Sequence, residues 1–413
     1  MEKKQNVPAL RFQGFSGEWE SHYLGMLGVT FSGLSGKTKA DFGHGQARFV
    51  PYLNVFNHPI ADLQETEAIE IDDKQNEVKY GDIFFTTSSE TPEEVGMSSV
   101  WLGNEKNVYL NSFCFGYRPT STLYPFFMAF LLRSSSVRKE FVFLAQGISR
   151  YNISKNKAMG IGISFPLFRE QCKIGDFFQN LDKFIDGKSH KIQKLQQFRQ
   201  AMLTKLFPRE GAAEPELRFR GFSGKWKSQK MKDLGSFLKG KLYSKKNIQT
   251  SGVPLILYGR LYTQYELVID EVDTFAVPYE NSVWSIGGEV IVPASGETAE
   301  DIAIASVVKQ KGILLGGDLN IIRPNDTVSS VFLALSISYG HIHNELAKRA
   351  QGKSIVHIHN SDLVQLDIRL PSIEEQKAIG DFFYQLDRYI SLQHKKLERM
   401  QRLKAALLEK LFV

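Results

Sequence analysis

One twelve-residue phrase occurs twice in this chain. Pro8-Ala9-Leu10-Arg11-Phe12-Gln13-Gly14-Phe15-Ser16-Gly17-Glu18-Trp19 returns as Pro215-Glu216-Leu217-Arg218-Phe219-Arg220-Gly221-Phe222-Ser223-Gly224-Lys225-Trp226, with nine of twelve positions identical. A second phrase, Ile174-Gly175-Asp176-Phe177-Phe178, returns as Ile379-Gly380-Asp381-Phe382-Phe383. Self-similarity limits the fold more than any single residue does, because each copy must build the same structural unit. The repeat spans about half of the 413 residues, far beyond a solenoid unit. It predicts two duplicated domains, and so an activity carried out at two places.

Each copy ends in a long heptad. Ile174, Phe178, Leu181, Ile185, Ile192 and Leu195 recur at alternating spacings of four and three, with Lys188 as a polar interruption. Ile379, Phe383, Leu386, Ile390, Leu397 and Met400 repeat the pattern, with Gln393 in the place of Lys188. Sustained spacing of this kind predicts a coiled-coil seam. Phe177, Phe184, Phe198, Phe382 and Tyr389 flank that seam, so something besides a partner helix must cover its edge. Residues 170–206 would make a rod of roughly 55 Å. Acidic residues gather early in both helices and basic ones late, which favours antiparallel pairing. Ser372 and Glu375 predict a reciprocal capping box at the second helix, where the first has Leu167 in place of the serine.

The bodies between these helices read as α+β. Strands are expected at 82–87, 108–110, 112–115 and 289–292, and helical stretches at 124–144 and 329–350. The copies share Ser88 with Ser295, Arg118-Pro119 with Arg323-Pro324, and Ala145-Gln146-Gly147 with Ala350-Gln351-Gly352. Elsewhere their sequences have little in common. A repeated frame with unlike filling suits two readers of different targets.

Composition narrows the class. The net charge of +6 invites a polyanionic partner. Residues 166–210 carry nine Lys/Arg against five Asp/Glu, and 371–413 carry eight against six; the other 34 basic and 34 acidic residues cancel. A phosphate-binding surface on the bodies must therefore be a local face. The longest apolar stretch, 125–132, is too short for a bilayer, and the opening Met1-Glu2-Lys3-Lys4-Gln5-Asn6 is simply polar. Cys114 and Cys172 form no metal-ligand spacing. These features predict a cytoplasmic protein with no membrane partner, no metal and no cofactor.

Two phosphate-loop lookalikes fail on their own terms. Gly33-Leu34-Ser35-Gly36-Lys37-Thr38 has Phe31 where the first glycine belongs, and Ala347 through Gly352-Lys353-Ser354 follows a predicted helix rather than a strand. His341-Ile342-His343 and His357-Ile358-His359 could pair imidazoles on a strand face, but no third ligand is evident and groove histidines fit better. No methyltransferase, nuclease or nucleophile-elbow motif is present, so no catalytic residue is assigned.

Polar residues at loop and strand edges remain as candidate base and phosphate readers. In copy one they are Lys37, Thr38, Lys39, Ser88, Ser89, Gln146, Arg150 and Asn152. In copy two they are Lys239, Lys241, Lys245, Lys246, Arg260, Ser295, Lys353 and His357. Gln146-Gly147-x-x-Arg150-x-Asn152 is the strongest cluster, because its glycine lets backbone approach a ligand.

The order of these motifs resembles the specificity subunit of type I restriction-modification systems, over essentially the whole chain. The resemblance rests on the paired RFxGFSGxW tags, Gly81-Asp82-Ile83-Phe84-Phe85-Thr86-Thr87-Ser88-Ser89, Ala145-Gln146-Gly147-x-x-Arg150-Tyr151-Asn152-Ile153-Ser154, the Pro-x-x-x-Glu-Gln helix starts and the two IGDFF helices. Copy two departs from it, with Gly287-Gly288-Glu289-Val290-Ile291 for the strand and Gly352-x-x-Ile355-Val356-His357 lacking the arginine. The resemblance implies two α/β target-recognition domains, 1–165 and 211–370, separated by spacer helices 166–210 and 371–413 that form an antiparallel coiled coil with pseudo-twofold symmetry. It implies reading of a bipartite, asymmetric site in double-stranded DNA. It also implies docking of two methyltransferase subunits and of restriction motor-nuclease subunits, with no catalysis by the chain itself. The competing expectation is a non-catalytic coiled-coil assembly scaffold with only non-specific DNA binding. A nucleotide-dependent enzyme using Lys353 and Ser354 is the remotest reading.

Overall fold

The computed structural model of the chain describes residues 6–350 and 355–413, Glu300 by its backbone alone. Two compact units result, one from residues 1–189 with 396–413, the other from residues 190–395. Each long helix, Phe168–Leu206 and Ile373–Leu411, contributes residues to both.

In the first unit a four-stranded antiparallel sheet runs in the order Gly28–Ser32, Cys114–Pro119, Ile83–Thr86, Ser98–Val100. The run Ile83-Phe84-Phe85-Thr86 is buried on both faces, as an unbroken apolar strand requires. Ile83 and Phe85 face a core with Trp19, Phe115, Phe127 and Phe141, while Phe84 faces a second core with Val50, Trp101 and Leu110. A three-stranded sheet, Glu67–Ile69, Phe42–Val50 and Val108–Leu110, backs that second core.

The second unit rebuilds the same plan. Its five-stranded sheet runs Gly235–Lys239, Leu319–Pro324, Glu289–Pro293, Ser306–Val308, Val268–Ile269. Val290 and Val292 face one core and Ile291 the other, the same two-sided burial as in Ile83–Thr86. Asp82 pairs with Arg118 (2.7 Å), and Glu289 stands against Arg323 (3.4 Å) in the corresponding place. The departure of Gly287-Gly288-Glu289 from the first copy is thus one of spelling, since a buried carboxylate opens the central strand in both. Bodies with little sequence in common share the order of four strands, to which the second unit adds Val268–Ile269.

The tags are clamps. Arg11 sends Nε and Nη2 to the two carboxylate oxygens of Glu170 (2.8 and 2.7 Å), and its guanidinium also donates to the carbonyls of Ser16 and Gly17. Arg218 does the same with Glu375 (2.7 and 2.7 Å), Ser223 and Gly224. Gly17 and Gly224, beside the clamped carbonyls, and Gly14 and Gly221, in the turns closed by Phe15 N–H to Phe12 O and Phe222 N–H to Phe219 O, all sit at positive φ, which explains both glycines of the phrase. The neighbouring backbone closes the other end: Leu10 N–H donates to Lys410 O, and Leu217 N–H to Lys205 O, each a carbonyl in a helix's last turn. One short tag thereby holds the start of one long helix and the end of the other.

The expected capping box is therefore only half made. Glu375 N–H donates to Ser372 Oγ (3.3 Å), but its carboxylate takes Arg218, a stronger charged partner than a backbone amide. The glutamine that follows has its own task. Gln171 accepts from Tyr124 N–H and donates to Pro166 O; Gln376 accepts from Ser329 N–H and donates to Pro371 O. Each glutamine joins a long helix to the start of a body helix.

Within each unit the two helix segments run in opposite directions. In the first, Phe178 stacks on Phe412 (5.8 Å) and Asp182 meets Lys404 (2.5 Å). In the second, Arg199 meets Asp387 (2.5 Å) and Phe207 lies against Phe383 (6.4 Å). All twelve seam residues are buried or half-buried. The tags cover one part of the edge beside the seam, with Phe12 edge-on to Phe177 and Phe219 edge-on to Phe382.

Three local expectations change. The strand expected at 112–115 is Cys114–Pro119, because Asn111 Oδ1 takes Phe113 N–H and turns the chain first. The stretch 124–144 is two helices, Pro125–Leu131 and Ser135–Leu144. At the break Arg133 donates to the carbonyls of Ser98, Val55, Phe56 and His58, and burial lowers its guanidinium pKa to about 10. The stretch 329–350 breaks likewise at Gly340, φ 74°, into Ser330–Ser338 and His341–Arg349. Among the described residues no helix is long and apolar enough to cross a membrane.

Candidate nucleic-acid interface

Beyond the central strand of the first unit, the two-residue strand Ser88–Ser89 pairs antiparallel with Tyr151–Asn152, setting Ser88 opposite Asn152. Ile153 N–H donates to Thr87 O, which ties the same edge down. Gln146 and Asn152 exchange backbone hydrogen bonds (3.0 and 2.8 Å) and close the loop between them. Gly147 sits at φ 148°, where a Cβ would lie 1.9 Å from Arg150 O, so no other residue fits this loop shape. Ser88, Ser89, Gln146, Arg150 and Asn152 are thus gathered at one edge. Gln146, Arg150 and Asn152 are exposed, whereas Ser89 is buried and bonds Glu94.

The remaining candidates of this copy lie on another loop. Lys37 is paired with Asp72 (2.7 Å), which raises the lysine's pKa and holds the carboxylate well below its usual range. Its ammonium is engaged inside the protein. Thr38 caps the turn Lys39–Asp41, bonding the Asp41 carboxylate through both its N–H and its hydroxyl (2.6 and 2.9 Å). Lys39 is exposed.

The second unit carries the same edge with other side chains. Ser295–Gly296 pairs with Val356–His357, and Ser295 Oγ lies 3.0 Å from His357 Nδ1. The His357 ring stacks on that of His359 (6.4 Å). Lys353 falls outside the described residues. Arg260 is consumed internally by Asp273, Glu266 and the Glu271 carbonyl. Lys239, Lys241, Lys245 and Lys246 are exposed. The last two lie on the turn Lys245–Asn247, which Ser244 and Asn247 cap as Thr38 and Asp41 cap theirs. That shared turn has a signature, [ST]-x-x-[DN], that was readable beforehand. His341 and His343 are not strand residues: they belong to the helix His341–Arg349, where positions two apart point to different sides. Among the described residues no cluster of three or more His, Cys, Asp or Glu is placed to hold a metal.

Two features of the first unit escaped the sequence reading. Ile148, at the tip of the 146–152 loop, is 96% exposed, and nearby in the chain Phe143 is 84% exposed. The strand Phe42–Val50 also bulges at 43–46, since Phe42 and Ala47 both face Ile69, leaving His44 and Gln46 exposed. No local pattern marks either, because exposure of an apolar residue is decided by what the fold leaves uncovered. Phe184, Phe198 and Tyr389 of the helix flanks also remain exposed.

The family described as "Type I restriction modification DNA specificity domain" matches residues 37–197 and 223–402, the two copies in turn. The type I restriction enzyme MjaVIII specificity subunit of Methanocaldococcus jannaschii is 23% identical over 265 residues, covering 61% of each chain. The MjaX specificity subunit of the same organism is 22% identical over 424 residues, covering 97% of this chain and 94% of its own. The crystal structure of the type I restriction-modification system S subunit from M. genitalium shares the fold at a TM-score of 0.63 and 14% identity, covering 98% of this chain and 99% of that one. A chain from a structural study of type I R-M system assembly and conformational transition aligns at 0.55, with 17% identity and 95% and 97% coverage. With most of its length matched in two successive blocks, this chain belongs to the type I restriction-modification DNA specificity family.

Proposed function

We propose that the chain reads a bipartite, asymmetric site in double-stranded DNA, one half-site with each unit, and does no chemistry of its own. One observation carries this reading: both units present the same braced edge beyond the same central strand, with unlike side chains on it. Arg150, Gln146 and Asn152 line one; Ser295 and His357 line the other. Arginine, glutamine and asparagine match purine edges in the major groove. Residues 1–165 and 211–370 act as the recognition domains. The helices, spanning 166–210 and 371–413, form an antiparallel coiled coil with pseudo-twofold symmetry and set the gap between half-sites, as dimer geometry does in repressors. The exposed Phe184 and Tyr389 occupy matching places on the two helices, which suits two equal docking sites for methyltransferase subunits. Restriction motor-nuclease subunits complete the assembly, in the cytoplasm.

Protection mapping of duplex DNA by the chain with methyltransferase subunits should give two protected blocks around an unread spacer. Deleting about four residues from each helix, roughly 6 Å, should change the spacer and leave the half-site bases alone. Exchanging 20–150 for another such domain should alter one half-site only. Altered bases after the helix deletion would refute the spacer role. Weak, salt-sensitive binding without sequence preference, alongside normal subunit capture, would instead establish an assembly scaffold.

A further inference from the structure

Hydrogen-bond reading of bases leaves Ile148 without a purpose. A single exposed apolar residue is ordinary on a protein surface, but this one stands on a loop held in one shape. Paired backbone bonds join Gln146 and Asn152, Gly147 is pressed onto the Arg150 carbonyl, and the Ser88–Asn152 register anchors the base of the loop. The segment that carries the loop is basic, although Glu90, Glu93 and Glu94 follow the paired Ser88–Ser89 strand and Glu94 bonds Ser89. Arg150 and Lys157 are exposed, Lys155 reaches Ser32 Oγ (3.3 Å), and no acidic residue occurs between Glu140 and Glu170. That charge suits a polyanion better than a typical protein surface.

We propose that Ile148 is a wedge: as the first unit engages duplex DNA, this side chain enters between neighbouring base pairs and kinks the helix, beside the base-reading Arg150. Apolar residues inserted at a base step act in this way in architectural DNA-binding proteins. The proposal rests on the DNA-reading function above and adds a source of specificity to it. Pyrimidine–purine steps open most easily, so a preference would arise at a step that no hydrogen bond reads. The counterpart residues 351–354 lie outside those described, and the wedge is assigned to the first unit alone.

The test uses the full chain assembled with methyltransferase subunits, on duplexes carrying the site recovered by protection mapping. 2-Aminopurine, which brightens on unstacking, replaces each adenine of the first half-site in turn. The wild type should brighten one position, Ile148→Ala should lose that signal and Ile148→Leu should keep it, with the second half-site protected in all three. No brightening in the wild type, or brightening that survives in Ile148→Ala, overturns the wedge while two protected half-sites leave the reading function standing. Absence of protection by the wild type removes both. Release of a methyltransferase subunit by Ile148→Ala with unchanged fluorescence makes the tip a protein contact, and the proposal fails.

Discussion

The two units differ least where they clamp the long helices and most at the edges beyond their central strands. Arg11 with Glu170 and Arg218 with Glu375 agree in partners, in geometry to about a tenth of an ångström, and in the extra carbonyls they take. The paired edges keep their backbone register and change their side chains, Asn152 opposite Ser88 in one and His357 opposite Ser295 in the other. Removing one member of a buried ion pair is strongly destabilising, whereas exposed side chains such as Asn152 and His357 can change within about 0.5 kcal/mol of neutral. The duplication thus separates what holds the molecule together from what is free to vary.

Breaking the clamp gives the largest expected effect. Arg11→Ala should destabilise the first unit by about 3–5 kcal/mol, because it strands Glu170, 1% exposed, as a lone buried charge. Arg218→Ala should cost the second unit a similar amount through Glu375. Denaturant unfolding followed by Trp19 and Trp101 for one unit, and by Trp226 and Trp284 for the other, would compare them. Unequal losses would show that the clamps are alike in shape only.

A subtler contrast lies in the helix glycines. A Cβ on Gly175 would come within 2.7 Å of the Phe127 backbone nitrogen and 2.9 Å of the Tyr124 ring. On Gly380 its tightest contact would be the Val331 side chain at 3.2 Å, with the Phe332 backbone nitrogen at an ordinary 3.5 Å. Gly175→Ala should therefore cost about 1–3 kcal/mol by overpacking. Gly380→Ala should stay within about 1 kcal/mol of neutral, since alanine's better helix propensity offsets a slight clash. Equal thermal shifts in the two variants would contradict this reading of the IGDFF glycine.

The smallest effect concerns acid. Asp72 has its pKa depressed by Lys37 first and by Gln75 and the Lys74 amide after it. A depressed carboxylate contributes stability above its unfolded pKa, about 3.9, and that contribution fades as pH falls toward the folded value. Lys37→Ala should remove part of it and move the acid transition of the first unit upward in pH. The second unit has buried Tyr243 at the matching place and should not respond. Circular dichroism and single-unit tryptophan signals between pH 5 and 2 would check both halves of that statement.

Much of this was readable beforehand. The heptads, the apolar central strands and the order of the motifs depend on spacing along the chain, and the long helices came out within two residues of their expected start. The candidate readers differ in their surroundings for a physical reason. Gln146, Arg150 and Asn152 are close in sequence, and a short loop could only keep them together. Lys37 and Arg260 carry charges whose partners lie elsewhere in the chain, and both proved to be held internally.

Sequence by itself determined that this chain is a duplication and that each copy ends in a long amphipathic helix. Those properties follow from repetition and periodicity along the chain. Only tertiary structure decided that the tag is a clamp, that Glu375 leaves its capping box for Arg218, that unlike bodies share the order of four strands, and that Ile148 stands uncovered. Arg11 and Glu170 are 159 residues apart, and Arg218 and Glu375 are 157. At such separations a charge finds its partner through packing, and no pattern along the chain records which partner that will be.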